Sequence, residues 1–278
     1  MDPLSSSTPI PSAFLNFDPA AAEKKIVKFI RRAVQTSGAS GVVLGLSGGI
    51  DSALAAVLAV KALGSENVFP IFFRAGGFNQ DDLQDAAFLA EKLGLTLQEI
   101  DLSPVLLPAE AAAAEQLSAA EIGNLKSRLR MSLLYSRANK NNLLVIGTKN
   151  KTELMTGYFT KYGDGGVDID PVADLYKTEI RLLSKYLELP ESILMKTPSA
   201  GFWAGQSDEN DFGMRYDQLD ALLFAVERGK IKPGSERFKK VSKKIGLSQK
   251  QSQSIAARLS AAEHKQKMPP IPKIKRTE

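Results

Sequence analysis

The stretch Val42-Val43-Leu44-Gly45-Leu46-Ser47-Gly48-Gly49-Ile50-Asp51-Ser52 decides the fold of this chain. Its first five residues predict a short buried strand, and the apolar residues from 52 to 63 recur at helical spacing. Between the two lies a turn that is rich in glycine and hydroxyl groups, and we call residues 45–52 the glycine turn. A strand that enters a helix through such a turn is typical of phosphate sites in parallel α/β proteins.

The residues of the glycine turn have the properties that a phosphate site requires. Gly48 and Gly49 can adopt positive φ and carry no side chain that would block an anion. The start of the following helix offers unpaired N–H groups and the positive end of the helix dipole. Ser47 and Ser52 add hydroxyl donors, and Asp51 adds a carboxylate that can hold Mg²⁺. The alternative interpretation is a turn that serves only the geometry of the strand and the helix.

The glycine turn is not one of the two common nucleotide loops. It lacks the lysine of GxxxxGK[ST], and it does not match GxGxxG. A lysine that reaches the β- and γ-phosphates suits transfer of the γ-phosphoryl group. Hydroxyls and backbone N–H groups that hold pyrophosphate suit attack at the α-phosphate, with pyrophosphate as the leaving group.

Strands and helices alternate outward from this turn. Asp18-Pro19 predicts the start of a helix that ends before Gly38. Further strands are predicted at 68–73, 95–100 and 143–147, and further helices at 80–93, 121–140, 177–188, 216–228 and 248–267. This order predicts an α/β fold with a doubly wound parallel sheet, helices on both faces and additional C-terminal helices. Functional residues are expected beyond the ends of strands 42–46 and 143–147.

Composition narrows the class of protein. The chain has 278 residues, of which 44% are hydrophobic and 24% charged, as in an ordinary globular protein with a full core. Its longest apolar run, 53–60, is far below the roughly 18 residues of a membrane span. The N-terminal residues show no secretory signal pattern. We therefore expect a cytoplasmic protein with no membrane partner.

The chain has no cysteine and one histidine, His264. Disulfides, thiolate metal sites and thiol nucleophiles are therefore excluded, and a histidine metal site or a Ser-His-Asp triad is not expected. Positive charge is concentrated at residues 230–278, which hold 14 Lys or Arg and 3 Asp or Glu. This excess favours a polyanionic partner, either nucleic acid or the phosphates of a dinucleotide, while solvated helix surfaces are the alternative. Two irregular segments, 157–172 and 196–213, are predicted to be binding loops.

The hexapeptide Ser47-Gly48-Gly49-Ile50-Asp51-Ser52 resembles the SGGxDS loop of the ATP pyrophosphatase (PP-loop) superfamily. This superfamily includes NAD, GMP, argininosuccinate and asparagine synthetases and several RNA-modifying enzymes. Later motifs resemble, in order, those of NAD synthetases over residues 18–265: 124–131 (NLKSRLRM), 146–153 (IGTKNKTE), 157–166 (GYFTKYGDGG), 174–179 (DLYKTE) and 198–203 (PSAGFW). The resemblance implies an adenine nucleotide alpha hydrolase-like fold and the ammonia-dependent type of NAD synthetase.

The resemblance also implies the site residues, by position. It implies ATP binding by Gly45, Leu46, Ser47, Gly48, Gly49, Ile50, Asp51, Ser52, Thr148, Lys177 and Ser199. It implies Mg²⁺ binding by Asp51 and Glu153, deamido-NAD binding by Arg128, Lys161, Asp168, His264 and Lys265, and catalytic roles for Asp51, Glu153, Lys177 and Asp168. Relatives are commonly homodimers with deamido-NAD at the subunit interface, so a homodimer is expected. Taken singly, Arg128, Lys177, Glu153 and Asp168 also suit solvated surface positions or turns.

Our hypothesis is that the nicotinate carboxylate of deamido-NAD attacks the α-phosphate of ATP, and that ammonia then displaces AMP. Asp164 or Asp168 is expected to orient the ammonium ion. Glutamine-dependent relatives use an additional domain with a cysteine nucleophile. Because this chain has neither the length nor the cysteine for such a domain, free ammonia is the expected donor, and delivery by a separate glutaminase subunit is the alternative. A catalytic domain is predicted at 18–267, between an N-terminal extension (1–17) and a basic, proline-rich tail (268–278).

Two features depart from the family pattern. Residues 74–79 (RAGGFN) replace a turn that contains proline and serine, and the tail lacks the aromatic ending of some relatives. Two alternatives therefore stay open. One is another PP-loop ATP pyrophosphatase that adenylates a different acceptor, such as RNA, although no nucleic-acid partner is expected under the main interpretation. The other is a nucleotide-binding sensor without enzymatic activity.

Overall fold

A computed structural model describes residues 14, 16–75, 79–113, 115–199, 201 and 205–274. The strands are β1 Gly41–Gly45, β2 Val68–Arg74, β3 Gln98–Asp101 and β4 Leu143–Val145. The helices of the sheet region are α1 Pro19–Ser37, α2 Ile50–Leu63, α3 Gln80–Lys92, α4 Ser103–Ala111, α5 Ala119–Asn141, α6 Lys151–Thr156 and α7 Lys177–Tyr186. They are followed by α8 Glu191–Leu194, α9 Asp208–Phe212, α10 Tyr216–Gly229, α11 Glu236–Lys244 and α12 Gln249–Ala262.

The four strands form one parallel sheet in the order β3-β2-β1-β4. From β1 the chain winds outward through β2 to β3 on one side, and then crosses to place β4 on the other side of β1. The strand order therefore reverses between β1 and β4. In open α/β sheets the crevice beyond the strand ends at such a point is the usual ligand site. The glycine turn follows β1 at this crevice.

Helices cover both faces of the sheet, which confirms the predicted doubly wound α/β fold. Val42 and Leu44 of β1 are fully buried in a core with residues of α1, α2, α3 and α7. Val43 points to the other face and is buried in a second core with residues of α5 and β4. A strand that is buried on both faces has to be apolar at every position, which explains the continuous run in the sequence.

A third core lies among the C-terminal helices. It contains residues of α9, α10, α11 and α12, together with Tyr176 and Phe14. The Phe14 ring is 1% exposed and lies 5.5 Å, centroid to centroid, from the rings of both Tyr176 and Phe224. The predicted boundary after residue 17 stays a prediction, but Phe14 on its N-terminal side is part of this core.

Most element boundaries agree with the sequence signals. The Asp18 carboxylate accepts a hydrogen bond from the amide of Ala21, and Gly38 ends α1 with φ of 70°. Helix α2 begins at Ile50, two residues earlier than predicted, so Asp51 lies in its first turn. Five of the described helices were not predicted: α4, α6, α8, α9 and α11. α4 contains Pro108, and α11 is a short lysine-rich helix that buries only Phe238 and Ser242.

Two predicted segments differ from the structure. The last predicted helix ends at Ala262 and continues as a 3-10 turn over Glu263–Lys265. The segment 196–213, predicted as a loop, contains α9. Within the described residues, no helix combines the length and the apolar character needed to cross a membrane. The unusual 76–78 portion of the 74–79 motif, and Ala200, Phe202 and Trp203 of the 198–203 motif, lie outside the described residues.

Candidate active site

The glycine turn is closed by hydrogen bonds between its own groups. The Ser47 amide donates to Ser52 Oγ at 3.1 Å, and the two serine hydroxyls lie 3.0 Å apart. The Gly49 amide donates to Ser47 Oγ at 3.3 Å, and Ser52 Oγ donates to the Gly49 carbonyl at 3.0 Å. Gly48 has φ of 78°, in the left-handed region that favours glycine. Gly49 is the N-terminal cap of α2, so the turn leads directly into a helix start.

Asp51 connects the glycine turn to the end of β4 and to α7. Its Oδ1 accepts a hydrogen bond from Asn150 Nδ2 at 2.9 Å. Its Oδ2 pairs with Lys177 Nζ at 2.5 Å. Lys177 is the first residue of α7 and is 2% exposed. The predicted ATP ligands Asp51 and Lys177 are therefore in direct contact, although 126 positions separate them.

Glu153 is held beside this ion pair by a reciprocal cap. Asn150 begins α6: its side chain accepts from the Glu153 amide at 3.0 Å, and Glu153 Oε2 accepts from the Asn150 amide at 3.2 Å. This arrangement is a capping box in which asparagine takes the place of serine or threonine. Asn150 was not predicted as a site residue, but the pattern Asn-x-x-Glu after a strand was a usable signal.

Asp208 adds a third carboxylate. It lies in α9 and is 3% exposed, and its Oδ2 accepts from the Tyr216 hydroxyl at 2.8 Å. Its Oδ1 is buried and accepts no hydrogen bond from the described residues. Lys177 Nζ lies over the Tyr216 ring, 5.4 Å from its centroid. We call Asp51, Asn150, Glu153, Lys177 and Asp208 the Lys177 cluster.

The charges in the Lys177 cluster influence one another strongly. Burial, and then the nearby carboxylate of Asp51, raise the pKa of Glu153 well above its ordinary value. Burial also raises the pKa of Asp208, against the effect of the Lys177 ammonium. For Lys177, burial acts to lower the pKa, but the carboxylates of Asp51, Glu153 and Asp208 outweigh it and raise the pKa. The cluster therefore crowds three acidic groups around one ammonium.

A buried aspartate behind the cluster holds α6 and α7 together. Asp220 of α10 is fully buried; its Oδ1 accepts from Thr152 Oγ1 at 2.6 Å, and its Oδ2 accepts from the amide and the hydroxyl of Thr178, each at 2.7 Å. The Lys177 amide donates to Thr152 Oγ1 at 3.1 Å. Burial raises the pKa of Asp220 to about 6, although these hydrogen bonds act to lower it. Asp220 therefore sets the relative position of Glu153 and Lys177 and was missed in the sequence, where nothing marks it.

Three predicted dinucleotide ligands lie together at a second place. Lys161 Nζ donates to the His264 carbonyl at 2.8 Å. Lys265 Nζ donates to the carbonyls of Gly157 and Phe159, each at 2.7 Å. These bonds fasten the 3-10 turn after α12 onto the loop that follows α6. A side chain at Gly157 would also collide with Ala262, since its Cβ would lie 2.8 Å from that of Ala262.

The two candidate ammonium ligands differ in how fully their oxygens are used. Asp168 Oδ1 accepts from the Tyr135 hydroxyl at 3.0 Å, and its Oδ2 accepts from the Val145 amide at 2.7 Å. Asp164 Oδ1 accepts from Ser127 Oγ at 2.7 Å and from the Thr160 amide at 2.9 Å. Asp164 Oδ2 receives no hydrogen bond from any described residue. Asp168 is thus tied to β4 and α5, whereas Asp164 keeps one free oxygen.

The remaining predicted residues make fewer contacts. Thr148 follows β4 and is half-buried. The Ser199 hydroxyl accepts from the Gly201 amide at 3.1 Å, and the described residues give it no contact with the Lys177 cluster. Arg128 is exposed on α5, near enough to Lys265 to help lower the pKa of that lysine, an effect due chiefly to burial. The described residues contain no group of three or more Asp, Glu or His side chains arranged as a metal site.

The chain is similar to proteins of one family over nearly its whole length. The NAD synthase family model matches residues 22–269. The NH(3)-dependent NAD(+) synthetase of Methanosarcina mazei is 46% identical over 256 residues, which cover 91% of this chain and 98% of that protein. The protein of the same name from Archaeoglobus fulgidus is 43% identical and covers 94% of this chain and 99% of its own.

Solved structures agree with this likeness. The structure of NMN synthetase from Francisella tularensis superimposes with a TM-score of 0.81 at 35% identity, over 93% of this chain and 100% of that chain. The NH3-dependent NAD synthetase from Campylobacter jejuni, in complex with the nitrate ion, gives a TM-score of 0.76 at 33% identity, over 92% and 100%. The residues that the family model matches include the glycine turn and the Lys177 cluster.

Proposed function

The chain belongs to the NAD synthase family, and from that premise we propose that it converts deamido-NAD to NAD with ammonia and ATP, releasing AMP and pyrophosphate. The observation that carries the proposal is the contact between Asp51 and Lys177 at the point where the strand order reverses. It brings the glycine turn, the start of α7 and the capped Glu153 to one crevice. The enzyme is a carbon–nitrogen ligase, and we propose that it works in the cytoplasm.

In the first half of the proposed reaction, an oxygen of the nicotinate carboxylate attacks the α-phosphorus of ATP. The new P–O bond forms while the bond to the bridging oxygen breaks, so pyrophosphate leaves with the electron pair. The N–H groups of the glycine turn, the Ser47 hydroxyl and the Lys177 ammonium supply positive charge and donors where negative charge develops. Thr148 and Ser199 complete the proposed ATP site. No covalent enzyme intermediate is needed, because the acid is activated as an adenylate.

In the second half, the ammonia lone pair attacks the acyl carbon of the adenylate. The C–N bond forms, the C–O bond to the phosphate breaks, AMP leaves and the nitrogen loses a proton. The free Oδ2 of Asp164 supports this residue, rather than Asp168, as the group that orients ammonium. Asp168 is held by Val145 of β4 and by Tyr135, and its proposed role is in binding deamido-NAD.

We propose that Asp51 and Glu153 hold Mg²⁺ together with the phosphates of ATP. The raised pKa of Glu153 fits this role, because a divalent cation would offset the repulsion from Asp51. Mg²⁺ is usually bound by one or two carboxylates plus substrate phosphates, which suits a site with two protein ligands. When bound, it neutralises phosphate charge.

For the second substrate, we propose that Arg128, Lys161, Asp168, His264 and Lys265 bind deamido-NAD in a homodimer. The proposal is supported by the grouping of Lys161, His264 and Lys265 in one place. Arg128 lies near enough to Lys265 for its charge to affect that lysine. The likeness to NMN synthetase favours one alternative acceptor, nicotinate mononucleotide, whose amidation follows the same chemistry. An RNA acceptor has no comparable support.

The purified protein tests these proposals with ATP, Mg²⁺ and a nitrogen source. With ammonium and deamido-NAD we expect NAD and AMP in equal amounts, measured by chromatography. Glutamine alone should give no NAD. If product forms only from nicotinate mononucleotide, that compound rather than deamido-NAD is the substrate. AMP formation that does not depend on either nicotinate acceptor would contradict the proposal.

The metal is tested separately from activity. Mg²⁺ together with a nonhydrolysable ATP analogue should raise the midpoint of thermal unfolding more than either alone, because the cation joins the nucleotide to Asp51 and Glu153. EDTA should reverse the increase. In Glu153→Gln, the analogue should still raise the midpoint of thermal unfolding, but Mg²⁺ should add no further increase. An equal Mg²⁺ effect in that variant would show that Glu153 is not a ligand.

A further inference from the structure

We propose that Lys196 is a positioning residue of the nucleotide site, which fixes the peptide group between Gly48 and Gly49 and so holds the glycine turn ready for pyrophosphate. This inference rests on the proposed use of that turn for ATP. Lys196 lies 148 positions from Gly48, in the segment between α8 and α9. Lys196 is the first residue of the predicted binding loop 196–213, but no motif marks it individually as a site residue.

The Lys196 ammonium has three acceptors around it. Nζ donates to the Gly48 carbonyl at 3.1 Å and to Asp82 Oδ1 at 2.8 Å, and it also pairs with the carboxylate of Asp85. An ammonium has three N–H bonds, so these acceptors use its full capacity. The side chain is 22% exposed, which leaves little room for a further ligand. We call Gly48, Asp82, Asp85 and Lys196 the Lys196 clamp.

The clamp determines where the next amide points. In a trans peptide the carbonyl and the N–H lie in one plane and point in opposite directions. Because the Gly48 carbonyl faces Lys196, the Gly49 N–H has to face the other way, toward the interior of the turn, where it donates to Ser47 Oγ. Gly48 has no side chain to prevent this peptide from rotating. Without Lys196, rotation of this peptide would break the bond from Gly49 to Ser47 and turn the Gly49 N–H away from the turn.

The backbone of the turn also packs against α3 at the clamp. A Cβ at Gly48 would lie 2.3 Å from the Asp82 carbonyl oxygen, so the turn and the first turn of α3 touch with no space for a side chain. Asp82 and Asp85 then hold Lys196 from one side while Gly48 receives its third bond. Contact with α3 therefore helps to set the position of the turn, together with β1 and α2.

The charges of the clamp argue against direct phosphate binding by Lys196. Two carboxylates and one ammonium give the clamp a net negative charge. A phosphate close to Lys196 would be repelled by Asp82 and Asp85 unless the pairs were broken. Lys196 therefore supports the turn through its carbonyl, while the N–H groups and Lys177 contact the phosphates.

The clamp also places the start of the segment that brings in the third carboxylate. Ser199 follows Lys196 by three residues. The Asp208 amide donates to the Pro198 carbonyl at 3.0 Å, so Pro198 helps to position the start of α9. Fixing Lys196 against the glycine turn thus fixes one end of the link between that turn and Asp208.

The test compares Lys196→Ala, Lys196→Arg and a matched control, Lys92→Ala. Lys92 lies at the other end of α3 and donates to the Glu188 carbonyl at 3.2 Å, away from the turn. Calorimetry on the full chain measures affinity for α,β-methylene-ATP with Mg²⁺, without deamido-NAD, and separately for deamido-NAD alone. Amide exchange of Gly49 is measured in ligand-free protein labelled with ¹⁵N-glycine. These readouts do not require turnover, so they remain informative if the proposed reaction is wrong.

We expect Lys196→Ala to lower the affinity for the ATP analogue about tenfold, which is the size of one charge-assisted hydrogen bond. The affinity for deamido-NAD should be unchanged, and amide exchange at Gly49 should be faster. Lys196→Arg should restore most of the affinity, because its guanidinium can still donate to Gly48 and the carboxylates. Lys92→Ala should match the wild type. If Lys196→Ala does not fold, Lys196→Gln takes its place.

Three results would overturn the proposal. One is unchanged affinity for the analogue in Lys196→Ala. Another is weaker binding with normal Gly49 exchange and a smaller dependence of affinity on salt, which would mean that Lys196 contacts phosphate directly. The last is an equal loss for deamido-NAD or in Lys92→Ala, which would indicate general destabilisation.

Discussion

The ammonium of Lys177 is held at the candidate site by its neighbours rather than by solvent. It is 2% exposed, forms an ion pair with Asp51 and lies over the ring of Tyr216. A buried charge without partners is strongly unfavourable, so the carboxylates around it are a condition for its presence. The same carboxylates are left crowded if the ammonium is removed. One side chain therefore affects both the charge available to pyrophosphate and the stability of the cluster.

Lys177→Met tests this double role. We expect kcat/KM for ATP to fall by at least about a hundredfold, because a preorganised positive group for the leaving pyrophosphate is lost. We also expect a loss of roughly 3 kcal/mol in unfolding free energy, since the buried carboxylates lose their partner. Steady-state kinetics and urea unfolding measure the two effects. Lys185→Met is the control, because Lys185 lies exposed on the same helix. Wild-type kinetics in Lys177→Met would remove this residue from the proposed mechanism.

At this scale the sequence predicted the charged residues but not their partners. The motifs pointed to Asp51, Glu153 and Lys177, and the structure brings these three together. Asp208 was missed because a carboxylate is recognised as a partner only when the contact is known. Asn150 was missed although the pattern Asn-x-x-Glu after a strand indicates a capping box. Lys161 and Lys265 stay predicted ligands of the dinucleotide. Their ammoniums donate to backbone carbonyls, and residue spacing alone does not reveal these contacts.

At the scale of the element, two short helices owe their relative position to one side chain. Helix α6 carries Glu153 and α7 begins with Lys177, and Asp220 of α10 accepts hydrogen bonds from Thr152 and Thr178 on the two. A buried carboxylate with three donors is satisfied only in this arrangement. The C-terminal helices are therefore not an appendage to the sheet, since they align two helices that carry site residues.

Asp220 also gives the protein a specific pH dependence. Its folded pKa of about 6 lies above the unfolded value of 3.8, so the folded protein binds the proton more tightly between these two values. The contribution of Asp220 to the unfolding free energy is therefore greatest below pH 3.8 and decreases as pH rises through 6, by at most about 3 kcal/mol. Wild type should lose stability relative to Asp220→Asn between pH 4.5 and 7.

Urea unfolding at several pH values measures this difference. Because the other buried carboxylates are present in both proteins, their effects cancel in the comparison. Glu91→Gln, at an exposed position on α3, should parallel the wild type at every pH. A constant difference between wild type and Asp220→Asn would show that Asp220 does not change its proton affinity on folding.

Prediction of the elements was most accurate where a cap or a long apolar pattern was present. The Asp18 cap and Gly38 fixed both ends of α1, and Asn79 fixed the start of α3. Helix α4 was missed because Pro108 lies inside it, and proline usually indicates a break. Strand β3 begins at Gln98, later than predicted, because Leu95, Thr96 and Leu97 do not pair with β2.

Across the whole molecule, Phe14 connects the N-terminal end of the described chain to the C-terminal core. Its ring is buried against Tyr176 and Phe224, and Tyr176 precedes Lys177. The core among the C-terminal helices therefore reaches the start of α7 through an aromatic contact from the other end of the chain.

Phe14→Ala should destabilise the protein by about 3 kcal/mol, because a buried ring is lost and a cavity remains. Phe29→Ala is the control: its ring is 46% exposed on α1, and its loss should cost about 0.5 kcal/mol or less. Thermal or urea unfolding gives both values. Equal small effects would place Phe14 outside the folded core.

The topology of the sheet followed from the alternation of strands and helices, but its strand order did not. Alternation requires parallel strands with right-handed crossovers. It does not state on which side of β1 the fourth strand lies, and this choice creates the crevice. The pairing of β4 with β1 places it there, through partners such as Val43 and Val145 that are about a hundred positions apart. Helix α5 packs against both of these strands.

The reversal of strand order divides the candidate site between two lengths of chain. Asp51 and Gly48 precede the connection between α4 and α5, whereas Asn150, Glu153, Lys177 and Lys196 follow it. A protease that cut at the exposed residues 115–116 would leave two fragments, each with an incomplete set of nucleotide ligands. ATP would then stabilise the association of the two fragments, because its ligands come from both. Recovery of nucleotide binding would measure how much of the complex re-forms.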